Sequence, residues 1–401
     1  MILDPAAPVV VVGASLAGVR AAQALRREGH TGALTVIGAE QHWPPYDRPP
    51  LSKQVLTGAL DAERARLRLP DGLGVEVVLG RRATGLDLRR GEVTGDDGSS
   101  FAFDGLVVAT GATPRALPGT GGLAGVHLLR TVDDVARLRA ELASATRVAI
   151  VGAGFIGCEV ASSCRSLGLD VTLVDALDPP LGAVLGATAG GFVRQQLLAN
   201  GVRLHLGSTV AAVEGAGRAR KVVLADGTEI DTDVVVVGIG VTPATEWLEG
   251  SGLQLRDGVV CDEACRALGG DGRVVAAGDV ARWDHPRYGS LRTEHWTNAG
   301  EQAAHAVRAL VHGPAVAGPY APTPYFWSDQ FGVKLQFVGI ARPGDEVTVA
   351  EGSVEEGRFV LAYGRDGVTV GALCVGCPRR LVEWQALVDA RAAYPPPVLV
   401  P

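Results

Sequence analysis

Two short segments carry residue types and spacing suited to holding phosphate groups: Gly13-Ala-Ser-Leu-Ala-Gly18 and Gly152-Ala-Gly-Phe-Ile-Gly157. In such a pattern the first glycine permits a tight turn and the second lets backbone approach a pyrophosphate. The third lets a helix pack closely on a strand. A helix starting in the turn aims free N–H groups and the positive end of its dipole at the anion. Ser15 holds the second position of the first copy, where its small side chain is expected to fit. An acidic residue follows each copy near the end of the next strand, Glu40 and Asp175. One such motif is weak evidence; two copies with the same flanks are strong.

The elements that must position these residues are legible around them. Val9–Val12 reads as a buried strand, Val19–Arg27 as a helix and Leu34–Ile37 as a second strand, which together make a βαβ unit. Val148–Val151, a helix to about Leu167 and Val171–Val174 repeat that order. Two further apolar runs, 106–114 and 234–243, end in glycine turns and predict the crossings between two domains. Val274–Ala277 predicts another buried strand, ending at Asp279, with a helix over 298–311 behind it. After Gly313-Pro314 the pattern changes to short strands, Val333–Val338, Glu346–Val349, Phe359–Ala362 and Val368–Leu373, with Asp366-Gly367 as a hairpin signal. A helix near Leu381–Ala390 closes this third, antiparallel region.

Composition bounds the function. The 401 residues exceed two domains of roughly 150, and 47% hydrophobic with 20% charged residues is globular. A net charge of −7 argues against a general nucleic-acid binder, which needs a basic surface. No run reaches the roughly 18 to 20 apolar residues of a membrane helix, and the first eight residues lack a signal-peptide pattern, so a cytoplasmic location is the default expectation. The six cysteines fall in close pairs, Cys158/Cys164, Cys261/Cys265 and Cys374/Cys377, too few to staple a fold of this size. All are expected as reduced packing thiols, and no metal site is predicted.

With Pro45-Tyr-Asp-Arg-Pro-Pro-Leu-Ser-Lys53, Ala109-Thr-Gly111, Ala277-Gly-Asp279 and Tyr325-Phe-Trp-Ser-Asp-Gln-Phe331 added to the glycine turns, the chain resembles the FAD-dependent pyridine-nucleotide oxidoreductases over nearly its whole length. The most similar branch is the ferredoxin reductases that serve cytochrome P450s and Rieske-type dioxygenases. The resemblance implies an α/β fold with two Rossmann-like dinucleotide-binding domains and a C-terminal α+β domain with an antiparallel sheet. It implies an FAD-binding domain from 1–112 and 242–320, an NAD-binding domain at 113–241, and an interface domain at 321–401. It assigns Gly13, Ser15, Ala17, Gly18, Glu40, Arg48, Lys53, Ala83, Arg130, Asp279 and Trp296 to FAD. Gly152, Gly154, Ile156, Gly157, Glu159, Asp175 and Gly240 go to the nicotinamide cofactor, with Glu159 near the carboxamide.

The implied reaction carries hydride from NADH to FAD and then single electrons to an iron–sulfur ferredoxin. The flavin carries the chemistry, so no acid–base triad is expected, and His285 and His295 are not expected to act as bases. Asp175 would bond a ribose 2′-hydroxyl and repel a 2′-phosphate, which favours NADH. The electron exit is expected near Trp327, on the side opposite the nicotinamide, with Arg81, Arg82, Arg379 and Arg380 as candidates for a locally basic docking surface. Two alternatives stay open: an NADH oxidase or disulfide reductase acting alone, and a flavin-containing signalling protein similar to apoptosis-inducing factor.

Overall fold

Four consecutive valines, Val9–Val12, are buried along their whole length in the computed structural model, which describes residues 2–69 and 72–396. A strand apolar on both faces needs helices on both, the condition met by parallel sheets. It lies at the centre of a five-stranded sheet ordered Val274–Ala276, Gly105–Val108, Val9–Val12, Leu34–Gly38, Glu76–Leu79. Every pairing is parallel, with Val9 opposite Leu34 on one side and Gly105 on the other. The helices Leu16–Arg27 and Trp296–His312 pack together, and their buried Ala21, Ala22, Ala303 and Ala306 join the sheet in one apolar cluster. The chain forms two compact units, and this sheet belongs to the first: Met1–Asp47, Ala65–Thr113 and Thr242–Pro322.

The second unit comprises Arg48–Arg64, Pro114–Val241 and Thr323–Pro401. Its parallel sheet repeats the layout in the order Arg203–Leu206, Asp170–Asp175, Arg147–Val151, Val234–Val237, Val126–Leu128. The segment Arg48–Arg64, inside the stretch 1–112 expected as one domain part, clusters with this unit, and so does everything from Thr323 onward.

That C-terminal stretch forms a five-stranded antiparallel sheet covered by the helix Leu381–Asp389, with Trp384 and Val388 buried against it. Asp366 and Gly367 both take positive φ, 50° and 73°, as a two-residue hairpin turn requires. The strands run longer than their alternation predicts: Glu346–Ser353, Arg358–Arg365 and Val368–Val375. Bulges between Val349 and Glu351 and between Tyr363 and Gly364 shift the register, so the period-two pattern breaks where the strand continues. Among the described residues no helix is long and apolar enough to cross a membrane.

Candidate functional site

The two glycine turns divide into positions that the fold demands and positions that it leaves open. Gly13 has φ +116°, and a Cβ there would lie 2.1 Å from the Ala109 carbonyl oxygen; one on Gly18 would lie 1.7 Å from Gly13 O. In the second turn a Cβ on Gly152 would stand 2.3 Å from Gly238 O, and one on Gly157 1.9 Å from Gly152 O. Those four glycines serve strand–helix packing. Gly154 differs, because a Cβ there would meet nothing within 4 Å and its φ of −75° suits any residue. Packing does not explain that glycine, which leaves the backbone open to close approach from outside. Gly240 also faces open space, at φ +94°.

The helices that start in these turns leave their first N–H groups to an outside acceptor. Neither Ser15 nor Gly154 supplies a side-chain cap, and neither first turn carries an acid. By contrast, the helix Val132–Leu142 satisfies its own donors through a capping box of Thr131 and Asp134. Uncapped donors plus the helix dipole fit a pyrophosphate at each glycine turn.

Asp175 ends its strand, Asp170–Asp175, and Glu40 lies two residues past the end of Leu34–Gly38. The Asp175 carboxylate accepts the Ala153 N–H of the glycine turn and, at 2.7 Å, the Leu177 N–H. It therefore shapes the turn as well as standing beside it. Ile156, in the second glycine turn, and Leu177, two residues past Asp175, are apolar side chains 43% and 58% exposed. In the first unit Glu40 accepts the Tyr46 hydroxyl. Asp279 follows the strand Val274–Ala276, half-buried, with its backbone carbonyl bonded by Arg292 Nη1 at 3.1 Å. His295 precedes the helix Trp296–His312, and burial pushes its pKa down to about 4, with the Asp279 carboxylate opposing in part. The Trp296 indole, 36% exposed, donates to Asp47 Oδ1 at 2.8 Å. Ala83 is buried at the start of the strand Ala83–Asp87, and Ala17 is buried with its Cβ 3.2 Å from the point a Gly278 side chain would occupy.

Within the second unit the structure joins two residues that the resemblance assigns to different dinucleotides. Lys53 Nζ lies 2.7 Å from Glu159 Oε2, with both side chains nearly buried. The same carboxylate accepts Ser52 Oγ at 2.5 Å and Ser328 Oγ at 2.6 Å, and Gln330 Nε2 in turn donates to Ser328 at 3.0 Å. Three donors compensate the cost of burying this charge. Ser52 and Ser328 are absent from the sequence-based site, although both lie in strings that carry the resemblance. No local signal links them to Glu159, more than a hundred residues from each.

Arg48 Nη1 also lies in this unit and donates to the Arg130 carbonyl at 2.5 Å. Trp327, half-buried on the strand Tyr325–Gln330, stacks on Tyr325 with ring centres 6.0 Å apart. Two of the four arginines proposed for docking are engaged locally: Arg81 pairs with Asp96 and Asp97, and Arg380 with Glu351 and Glu383. All six cysteines are reduced and buried. Burial raises the Cys158 thiol above its usual range and Cys164 to about 12, so neither presents a thiolate. The Cys374 thiol hydrogen-bonds Cys377, which lowers the second thiol's pKa and raises the first's. No cluster of three metal-ligating side chains occurs among the described residues.

Comparison with known proteins places the chain in a family. Residues 7–303 match the family described as pyridine nucleotide-disulphide oxidoreductase, and residues 325–400 match the reductase C-terminal family. The chain is 39% identical over 396 residues to the ferredoxin reductase component of chlorobenzene dioxygenase from Cupriavidus sp. (strain PS12), covering 97% of this chain and 94% of that relative. It is 37% identical over 391 residues to the ferredoxin–NAD(+) reductase component of the biphenyl dioxygenase system of Paraburkholderia xenovorans (strain LB400), covering 96% and 94%. Among solved structures, the covalent putidaredoxin reductase–putidaredoxin complex matches with a TM-score of 0.90 at 30% identity, over 96% of this chain and 93% of that one.

Proposed function

The chain belongs to the pyridine nucleotide-disulphide oxidoreductase family, and from that premise we propose that it is an NADH-dependent flavoprotein ferredoxin reductase. It couples oxidation of NADH to one-electron reduction of an iron–sulfur ferredoxin that serves a cytochrome P450 or a Rieske-type oxygenase. The observation that carries the reading is the pair of uncapped helix N-termini in duplicated glycine turns, each with an acid at or just past the end of the following strand. Relatives named as ferredoxin reductase components of dioxygenase systems, similar over nearly their whole length, support the choice of partner.

When bound, FAD supplies the conversion between a two-electron donor and a one-electron acceptor. In the first unit the backbone donors at Ser15, Ala17 and Gly18 would hold its pyrophosphate, Glu40 its adenosine ribose and Asp279 its ribityl hydroxyls, with Ala83 and Trp296 as further contacts. In the second unit the Gly152–Gly157 turn would hold the NADH pyrophosphate. Asp175 would accept from the 2′-hydroxyl and repel a 2′-phosphate. Glu159 would accept from the carboxamide, its carboxylate fixed in place by Lys53, Ser52 and Ser328. A disulfide reductase needs an accessible thiolate, and the burial of all six cysteines argues against that alternative.

The test is NADH-dependent reduction of a panel of ferredoxins, read through cytochrome c. Turnover that requires an added ferredoxin supports the reading. Equal turnover with oxygen alone assigns the protein as an NADH oxidase. A long-lived charge-transfer complex with NADH and no electron release to any ferredoxin assigns it to the signalling class.

A further inference from the structure

The helix Gly182–Ala199 is broken at Gly186, whose φ of 78° and ψ of 175° lie outside the helical range. Such a break takes the preceding carbonyls out of line with the next turn's N–H groups. Leu185 is fully buried, so its carbonyl has no water to turn to. The Tyr363 hydroxyl meets it, donating to Leu185 O at 2.7 Å. Tyr363 is itself buried on the strand Arg358–Arg365, at the point where the register against Val368–Val375 shifts. Its ring packs edge-on against Phe337 at 5.2 Å, and burial raises the phenol's pKa, so the group stays a donor at any working pH. Phe359 on the same strand meets Phe192, beyond the break, with ring centres 5.1 Å apart. The C-terminal sheet thus grips this helix on both sides of its kink.

The short piece that the kink isolates touches the second glycine turn. Leu181, held at the left-handed φ of 57°, donates its N–H to the Ala153 carbonyl at 3.2 Å, and Leu185 N–H returns to Leu181 O at 2.9 Å. Ala153 N–H goes to Asp175. Hydrogen bonds linked through the backbones of Leu185 and Leu181 therefore connect the Tyr363 phenol to the backbone between Gly152 and Gly154. A left-handed leucine is strained by itself and persists only where its surroundings hold it.

We propose that Tyr363, far from the glycine turns in sequence, is a positioning residue for the nicotinamide dinucleotide. By capping the broken helix it holds the Leu181–Leu185 segment, and through it the turn whose donors receive the pyrophosphate. The inference rests on the reading of the second turn as the NADH site. The C-terminal domain then shapes NADH binding through backbone it braces, besides any part it plays toward a protein partner.

Tyr363→Phe tests this, because it removes only the hydroxyl and keeps the ring against Phe337. Loss of a net hydrogen bond predicts about a five-fold rise in the KM for NADH. The same factor is expected in the dissociation constant for NAD+ measured calorimetrically, with kcat and the visible flavin spectrum unchanged. An unchanged KM and dissociation constant in Tyr363→Phe, with wild type binding NADH, would overturn the inference alone. A lower melting midpoint with unchanged KM would reduce Tyr363 to a stabilising contact and overturn it too. Failure of the wild-type protein to bind NADH would instead defeat the reading of the site.

Discussion

Replacing Lys53 by methionine removes the cation paired with the buried Glu159 carboxylate while keeping most of the side-chain volume. Breaking a buried ion pair from one side costs about 3–5 kcal/mol, because the remaining charge stays uncompensated. Two hydroxyls, Ser52 Oγ at 2.5 Å and Ser328 Oγ at 2.6 Å, still reach the carboxylate, which places Lys53→Met near the lower end, about 3 kcal/mol. In a domain of this size a loss of 1 kcal/mol lowers the melting midpoint by about 2–4 °C, so a fall on the order of 6–12 °C is expected. Glu159→Gln removes the charge and keeps an acceptor for the serines, so the double variant Lys53→Met/Glu159→Gln should recover much of the loss. The assay is a double-mutant cycle by thermal and urea denaturation of the flavin-loaded protein, where a coupling of at least about 2 kcal/mol is expected. A single-variant loss below about 1 kcal/mol, or a double variant no better than Lys53→Met, would refute the argument that this pair is buried and mutually compensating.

Gly154→Ala should leave the melting midpoint within a few degrees and raise the KM for NADH, whereas Gly157→Ala should compromise folding, because only the second Cβ collides with backbone, at 1.9 Å from Gly152 O. Equal effects of the two on stability would show that the turn does not divide its glycines in this way. Asp175→Ala should narrow the preference for NADH over NADPH by about ten-fold, a factor equivalent to one favourable charged contact, as read by stopped-flow flavin reduction; an unchanged ratio would assign selectivity elsewhere. His295 is held at about 4, below the unfolded value near 6.5, so its contribution to stability is fully present above pH 6.5. That contribution, about 3 kcal/mol, is lost as pH falls from 6.5 toward 4, and urea midpoints at pH 7 and pH 5 should show a steeper fall in wild type than in His295→Gln. Trp327→Ala should slow ferredoxin reduction more than flavin reduction by NADH, and rising salt should act in the same sense; loss of NADH reactivity alone would place Trp327 on the nicotinamide side.

The features that could be read from the chain itself are those whose physics is local. A glycine turn, the strand before it, the helix after it and the acid on the next strand lie within about thirty residues of one another, the length of one βαβ unit. Strand Val9–Val12 is apolar at every position because it is covered on both faces, and that is visible in the letters. The Asp366-Gly367 turn is equally local, since both residues tolerate positive φ. The helix starts moved only slightly: the first helix begins at Leu16, inside the turn, where the uncapped donors are.

Tertiary structure decided whatever depends on which distant segments meet. Lys53, Glu159 and Ser328 come from three separate stretches, and nothing in the neighbourhood of any one of them predicts that the Glu159 carboxylate collects both the ammonium and the hydroxyl. Arg81 and Arg380 looked available as a basic surface because a sequence shows charges without their partners; folding brings Asp96, Asp97, Glu351 and Glu383 against them. The break at Gly186 is equally silent in sequence, for a glycine inside a helical pattern is tolerated without a kink. The packing of the Arg358–Arg365 strand against that helix delivers a phenol to the buried Leu185 carbonyl beside the break, a contact that only the folded chain can make. Local conformational preferences are written residue by residue, whereas burial, charge pairing and the completion of broken hydrogen-bond ladders belong to the folded chain as a whole.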